Sequence, residues 1–299
     1  MYPHWNHSNV FSWMTWQEVR DQARLDTPLV LPVGSTEQHG PHLPLCTDWV
    51  VPTELVRRAG ERRPLVVGPT VTFGYRSRPG SGGGQHFPGT VSLRATTFMA
   101  VVEDVLAEIV RAGFRRLVLY NWHFENVGFV YEAACLVSER HPEVKIVVVE
   151  YALPKLTDEE AALLWPTGFP GLDLEHAAVI ETSLWLHLDP SAVRLDRLVA
   201  DGPERHPPYD ILPIDPSMTT TSGSLSSPLG SDAAKGALLA ERVVEHLVGI
   251  LDAEFPTPSG LPGAGPAATT PAATPPTAGG APVAPVGVAP LPELTGSTP

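Results

Sequence analysis

The chain has 299 residues, with 20 lysines and arginines against 33 acids and a net charge of −13. That balance argues against a nucleic-acid backbone or an anionic membrane as partner and leaves a small molecule as the expected ligand. No window holds 18 uninterrupted apolar residues, and the first 16 residues lack a basic region followed by an apolar run. Neither a membrane span nor a signal peptide is therefore expected. Cys46 and Cys135 show no paired spacing, as suits a reducing compartment, and a cytoplasmic location is the expectation.

Prolines divide the chain. Twelve of the 33 fall in residues 256–299, a Pro, Ala, Thr and Gly stretch with no Lys or Arg and one acid, Glu293. Such a segment has too little to bury against the entropy of ordering it. The expected organisation is one domain over 1–255 and a disordered tail over 256–299.

In chain order, the pattern predicts a strand at Leu29–Val33, a polar loop to Asp48 and a helix from Trp49 to Gly60. A short strand at Leu65–Val67 precedes a long glycine-rich loop, Thr72–Thr90, of a length that is usually functional. Thr96–Ala112 carries Phe98, Val101, Val102, Val105 and Ile109 on one helical stripe, stopped by Gly113. A buried strand, Leu117–Tyr120, leads through Asn121–Asn126 into a helix ending near Arg140. The strand Val144–Val149 and a last helix, Asp232–Glu254, complete the series. Regular strand and helix alternation predicts an α/β fold, a mostly parallel central sheet flanked by helices on both faces, with ligands at the carboxyl ends of the strands.

Two of the loops at those ends hold an acid and a histidine two residues apart, in opposite order: Glu37-Gln38-His39 and His123-Phe124-Glu125. On extended chain, residues i and i+2 share a face. With Asp48 they make five donors of mixed nitrogen and oxygen type, which suits two divalent ions of the zinc or manganese kind better than one. Asp173, Glu175 and His176 open a predicted helix and could supply a proton shuttle. Taken singly, each of these residues reads as a solvated acid or a hydrogen-bonded structural histidine. Their coincidence at the ends of separate strands is what favours chemistry. His42 lies on the first loop without a spacing that requires it. His4, His7, His141, His187, His206 and His246 have no comparable partners and read as surface or packing groups, while Trp5, Trp13 and Trp16 suit packing or subunit contacts.

The motifs together resemble the creatininases, or creatinine amidohydrolases. The resemblance runs through Leu31-Pro32-Val33-Gly34, Glu37-Gln38-His39-Gly40, Tyr75-Arg76-Ser77, Ser81 to Thr90, Asn121 to Asn126, Gly171 to Glu181 and Pro207 to Asp210, and so covers about residues 10–255. It implies a dinuclear site in which Glu37 and His123 hold one ion, His39 and Glu125 the other, and Asp48 bridges. It also implies hydrolysis of a cyclic amide by metal-activated water, with Glu125 and His176 catalytic and His176 assisting proton transfer. Ser81, Phe124, Asp173 and Glu175 would line the substrate pocket, and the chain would form a homo-oligomer, commonly a hexamer. Departures lie in the pocket: Leu172 stands where such enzymes carry a tryptophan, no tryptophan occurs around Tyr151-Ala152-Leu153, and Phe124 replaces a tyrosine. They imply a roomier pocket, so another amide, a formamide or the peptide bond of a modified precursor, is the alternative substrate. A noncatalytic scaffold is the remaining alternative, against which the intact ligand set counts.

Overall fold

The computed structural model describes residues 7–81, 84–150, 153 and 155–256. The expected tail beyond Pro256 lies outside the described residues, as do Tyr151 and Ala152. Four parallel strands are found among the described residues: β1 (Leu29–Val33), β2 (Val66–Val67), β3 (Arg116–Asn121) and β4 (Lys145–Val149), in the order β2-β1-β3-β4. Register pairs Leu29 with Val66 and with Leu117, and Val33 with Asn121.

Both sheet faces are covered, which is why these strands read as continuous apolar runs rather than alternating ones. Leu29, Leu31, Val33, Leu117 and Leu119 pack with α3 (Ala95–Arg111) and α4 (Val127–Arg140). Val30, Val67, Val118 and Tyr120 pack with α2 (Thr47–Arg62), α6 (Val179–Leu188) and α7 (Ala233–Glu254). In α3 the buried residues are Phe98, Val102, Leu106, Ile109 and Val110, so the stripe turns Val101 outward to partial exposure.

The remaining helices are α1 (Trp16–Arg24) and α5 (Asp158–Leu164), which hydrophobic periodicity did not reveal. Each starts at a reciprocal capping box, Thr15 with Glu18 and Thr157 with Glu160, a signature present in the sequence. Trp13 of the preceding turn stacks on His7, and the Arg20 guanidinium sits over the Trp16 ring. No described helix is long and apolar enough to cross a membrane.

From β1 the chain runs to β2 on one side, then returns to place β3 on the other. The switch point therefore lies between the carboxyl ends of β1 and β3, where open α/β sheets collect their ligands. The two acid–histidine loops leave from those two strands.

Candidate metal centre

Local features bring the loops together. Pro32 sits inside β1, yet its missing N–H falls on the β2 side, where strand pairing has already ended at Val67. At Gly34 a Cβ would lie 2.1 Å from the Asp48 carbonyl oxygen. Glycine is thus what lets the first turn of α2 press against the end of β1 and deliver Asp48 there. The helix starts at Thr47 rather than Trp49, so Asp48 is a first-turn helical residue. Asn126 joins the loops, accepting from Tyr75 N–H (2.8 Å) and donating to the Gly34 carbonyl (3.1 Å).

A third arm comes from the segment before α6. A 3-10 turn, Leu172–Leu174, precedes the helix, which begins only at Val179. Between them Ala177 has φ +52°. A left-handed alanine costs about 1–2 kcal/mol, and here its N–H donates to Glu181 Oε2 at 2.7 Å. That turn lets His176 and Glu181 face the same centre.

Among the described residues, three groups of side chains could each hold a metal ion: Glu37 with Asp48 and His123, His39 with Asp48 and Glu181, and Glu37 with His39 and His176. All of these residues are buried. Asp48 links the two imidazoles, with Oδ1 3.0 Å from His39 Nε2 and Oδ2 3.0 Å from His123 Nδ1. Glu181 Oε1 lies 3.4 Å from His39 Nε2, and Glu37 Oε1 3.3 Å from His123 Nδ1.

The rings fit the part of ligands. His39 Nδ1 is 3.1 Å from the Glu37 carbonyl, and His123 Nε2 is 3.0 Å from the Tyr75 carbonyl. A carbonyl can only accept, so each ring places its hydrogen there and turns the other nitrogen, as a lone pair, toward the carboxylates. The inner atoms are therefore His39 Nε2 and His123 Nδ1. Two imidazole nitrogens among three buried carboxylates form a donor set matched to divalent ions of the zinc or manganese kind.

Electrostatics show the same demand for positive charge. Burial opposes charging of His39, but Asp48 and Glu181 together outweigh it and hold its pKa well above the ordinary value. His123 behaves likewise, with Glu37 and Glu125 as the leading opponents of burial. Burial also works against ionising Asp48 and Glu37, yet the imidazoles leave both pKa values below normal. Glu125 differs: burial raises its pKa despite His123. For His176, burial and then the neighbouring His39 lower the pKa.

Of the five expected ligands, the structure gathers Glu37, His39, Asp48 and His123. Glu125 joins none of the three groups and is not brought to His39. It is drawn to the opposite edge of the His123 ring, 3.3 Å from Nε2, where Ser81 Oγ and the Arg78 N–H (3.1 Å) donate to its Oε1. The carboxylate beside His39 is instead Glu181, a residue to which the sequence motifs assign no role. Its run, Val179-Ile180-Glu181-Thr182-Ser183-Leu184-Trp185, is wholly buried, and a buried acid in the first turn of a core helix was the available clue.

Of the expected pocket residues, Ser81, Phe124 and Glu175 border a cavity over this centre. Leu172 and His176 line it too, together with Trp122 and Leu153. Glu175 accepts from Trp165 Nε1 (2.5 Å) and from the Ile180 N–H (3.0 Å), and burial pushes its pKa up to about 7. Asp173 does not line this cavity. It stands in a neighbouring cleft, 3.3 Å from His206 Nε2, and Ser81 and Phe124 border both spaces. His206 is thus part of that cleft rather than an isolated surface group, and it also donates to the Gly80 carbonyl at 3.0 Å.

Comparison with known proteins matches residues 12–251 to the family model described as creatininase, creatinine amidohydrolase. The chain is 41% identical over 251 residues to a creatinine amidohydrolase of Pseudomonas putida, covering 81% of this chain and 96% of the relative. It is 31% identical over 247 residues to a mycofactocin precursor peptide peptidase of Mycobacterium tuberculosis, covering 78% and 88%. Among solved structures, a mutant creatininase of Zn-Zn type and a creatininase Mn form superpose with TM-scores of 0.80 and 0.79. Each is 39% identical and covers 84% of this chain and 100% of the solved one. The family match agrees with the motifs, the parallel sheet and the buried donor set, and the chain belongs to the creatininase family of amidohydrolases.

Proposed function

We propose that this protein hydrolyses the ring C–N bond of a cyclic amide, creatinine or a related guanidino or lactam ring, using two divalent ions, zinc or manganese. Glu37, Asp48 and His123 would hold one ion and His39, Asp48 and Glu181 the other, with Asp48 shared. Bound there, such ions supply Lewis acidity toward an amide carbonyl and bring the pKa of a water toward neutrality. The observation that carries this reading is the pair of rings whose hydrogens go to the Glu37 and Tyr75 carbonyls, leaving both inner nitrogens free to ligate. The relatives of Zn-Zn and Mn type support the choice of ions.

The chain's own groups then divide the work. Glu125, with its raised pKa and the Ser81 hydroxyl on one oxygen, is placed to take a proton from the attacking water and return it to the ring nitrogen that leaves. His176 faces the centre and assists that transfer. Glu175, at the cavity wall, suits a cationic guanidino edge, whose charge would draw the carboxyl into its ionised form. Trp122, Phe124 and Leu172 supply apolar surface for a flat ring. The reading includes a homo-oligomer, with the exposed Trp13 and Trp16 as surface available for subunit contact.

One observation favours a larger amide as the second reading: Ser81 and Phe124 line both this cavity and the adjacent cleft bounded by Arg78, His206 and Tyr209. A peptide amide would have room to extend there, and the peptidase relative supports it. The test incubates the ion-loaded protein with creatinine and follows addition of one water by mass spectrometry. Conversion supports ring opening. Unchanged creatinine, in a preparation carrying two ions per chain, would refute it in favour of larger amides.

A further inference from the structure

His176 meets a side chain that the proposed chemistry has not used. Gln38 lies between the two acid–histidine residues Glu37 and His39, yet its amide points toward the segment before α7. Its Oε1 accepts from the Gly40 N–H at 2.9 Å, and its Nε2 donates to the Gly223 carbonyl at 2.9 Å. The amide nitrogen also lies 2.9 Å from His176 Nε2.

The two backbone partners decide which way round the amide sits. An N–H can only donate and a carbonyl can only accept, so the oxygen must face Gly40 and the NH2 must face Gly223. The second hydrogen of that NH2 is directed at His176 Nε2, which must then accept. The contact depends on glycine at 223: its φ is +88°, and a Cβ there would lie 1.9 Å from Gln38 Oε1 and 3.0 Å from Nε2. The same segment holds the His176 backbone, through Leu225 N–H to the His176 carbonyl at 3.1 Å.

We infer that Gln38, held against Gly223 and Gly40, is a positioning residue that fixes His176 as the tautomer with its hydrogen on Nδ1, directed into the site. His176 Nδ1 lies 3.7 Å from Glu37 Oε1, and the ring lies beside that of His39 with centroids 4.4 Å apart. A hydrogen on Nδ1 has two consequences. The Glu37, His39 and His176 group is not a third ion site, because the nitrogen it would use is occupied. His176 assists as a neutral hydrogen-bond donor to the reacting amide, while the proton taken from water and delivered to the leaving nitrogen travels through Glu125. A second proton on Nε2 would set two donors against each other at 2.9 Å.

This inference rests on the proposed placement of His176 beside the reacting amide, but its test does not rest on turnover. The zinc-loaded, full-length protein is labelled with 15N-histidine, and the ring nitrogens of His176 are read by long-range proton–nitrogen correlation at pH 8. Loss of the signals in His176→Asn identifies them. The expected spectrum has a protonated Nδ1 and an unprotonated Nε2. Gln38→Glu replaces the donor by an acceptor of the same length, so the hydrogen should move to Nε2; Gly223→Ala, which displaces the amide, should mix the two forms. A wild-type ring protonated on Nε2, doubly protonated or zinc-bound through Nδ1 overturns the inference, whatever the variants do. So does an unchanged tautomer in folded Gln38→Glu. The expected tautomer in a protein that leaves creatinine intact would count against the substrate alone, and turnover with the opposite tautomer against Gln38 alone.

Discussion

The ends of β1 and β3 and the loops that roof them follow different rules. At the strand ends, donors are set by backbone: ring hydrogens go to the Glu37 and Tyr75 carbonyls, and Gly34 lets Asp48 approach. In the roof, contacts run between side chains of separate loops, such as His206 with Asp173 and Arg78 with Asp210. The first arrangement permits little change without loss of chemistry. The second can exchange side chains and alter what is accepted, as Leu172 illustrates.

The sharpest way to break that contrast is Asp48→Asn. Asp48 faces both inner nitrogens, so the variant should lose ion binding at both positions and all turnover while keeping its far-UV circular dichroism. Retained turnover would remove Asp48 from the centre. Next in size is Glu125→Gln, expected to lower kcat by roughly 10²–10⁴-fold, the usual worth of a positioned acid–base, while ion content stays at the wild-type level. Loss of an ion in that variant would restore the pairing of Glu125 with a metal that the sequence resemblance implies.

In the roof the effects should be smaller and fall on KM. Leu172→Trp adds an aromatic wall and is expected to lower KM for creatinine by roughly 10-fold, the scale of one apolar contact in a pocket, with kcat nearly constant. Equal changes in kcat and KM would mean that Leu172 acts on the strand-end centre.

Glu175 links the two regions and predicts a pH effect on stability. Burial raises its pKa from 4.5 to about 7 in the folded chain. Between those pH values the folded carboxyl holds a proton that the unfolded chain has released, so stability falls as pH rises through this window and levels off above it. The loss across this window is on the order of 3 kcal/mol. Denaturant titrations at pH 5 and pH 8 should show a smaller fall in Glu175→Gln than in wild type; parallel falls would place the cause elsewhere.

Much of this is legible in the sequence. β1, β3, α3, α4 and α7 announce themselves through long apolar runs or stripes, because burial on one or two faces writes a period into the sequence. Glu37, His39, Asp48 and His123 were legible because strand ends and loop spacing put them in one place. α1 and α5 were not, since their stripes are short, although Thr15-x-x-Glu18 and Thr157-x-x-Glu160 mark their starts. Glu181 stayed hidden because its neighbours read as core, and only the left-handed turn at Ala177 brings its carboxylate to His39. The tie between Gln38 and Gly223 spans 185 residues, and no local pattern reports a contact of that range.

The centre itself is tested most directly by counting ions. Wild type and Glu181→Gln, loaded with zinc in parallel and desalted, are measured by inductively coupled plasma mass spectrometry against protein concentration. Two ions per chain in wild type and one in Glu181→Gln are expected. Fewer than two in wild type, or two in both proteins, would contradict a centre built from Glu37, Asp48 and His123 on one side and His39, Asp48 and Glu181 on the other.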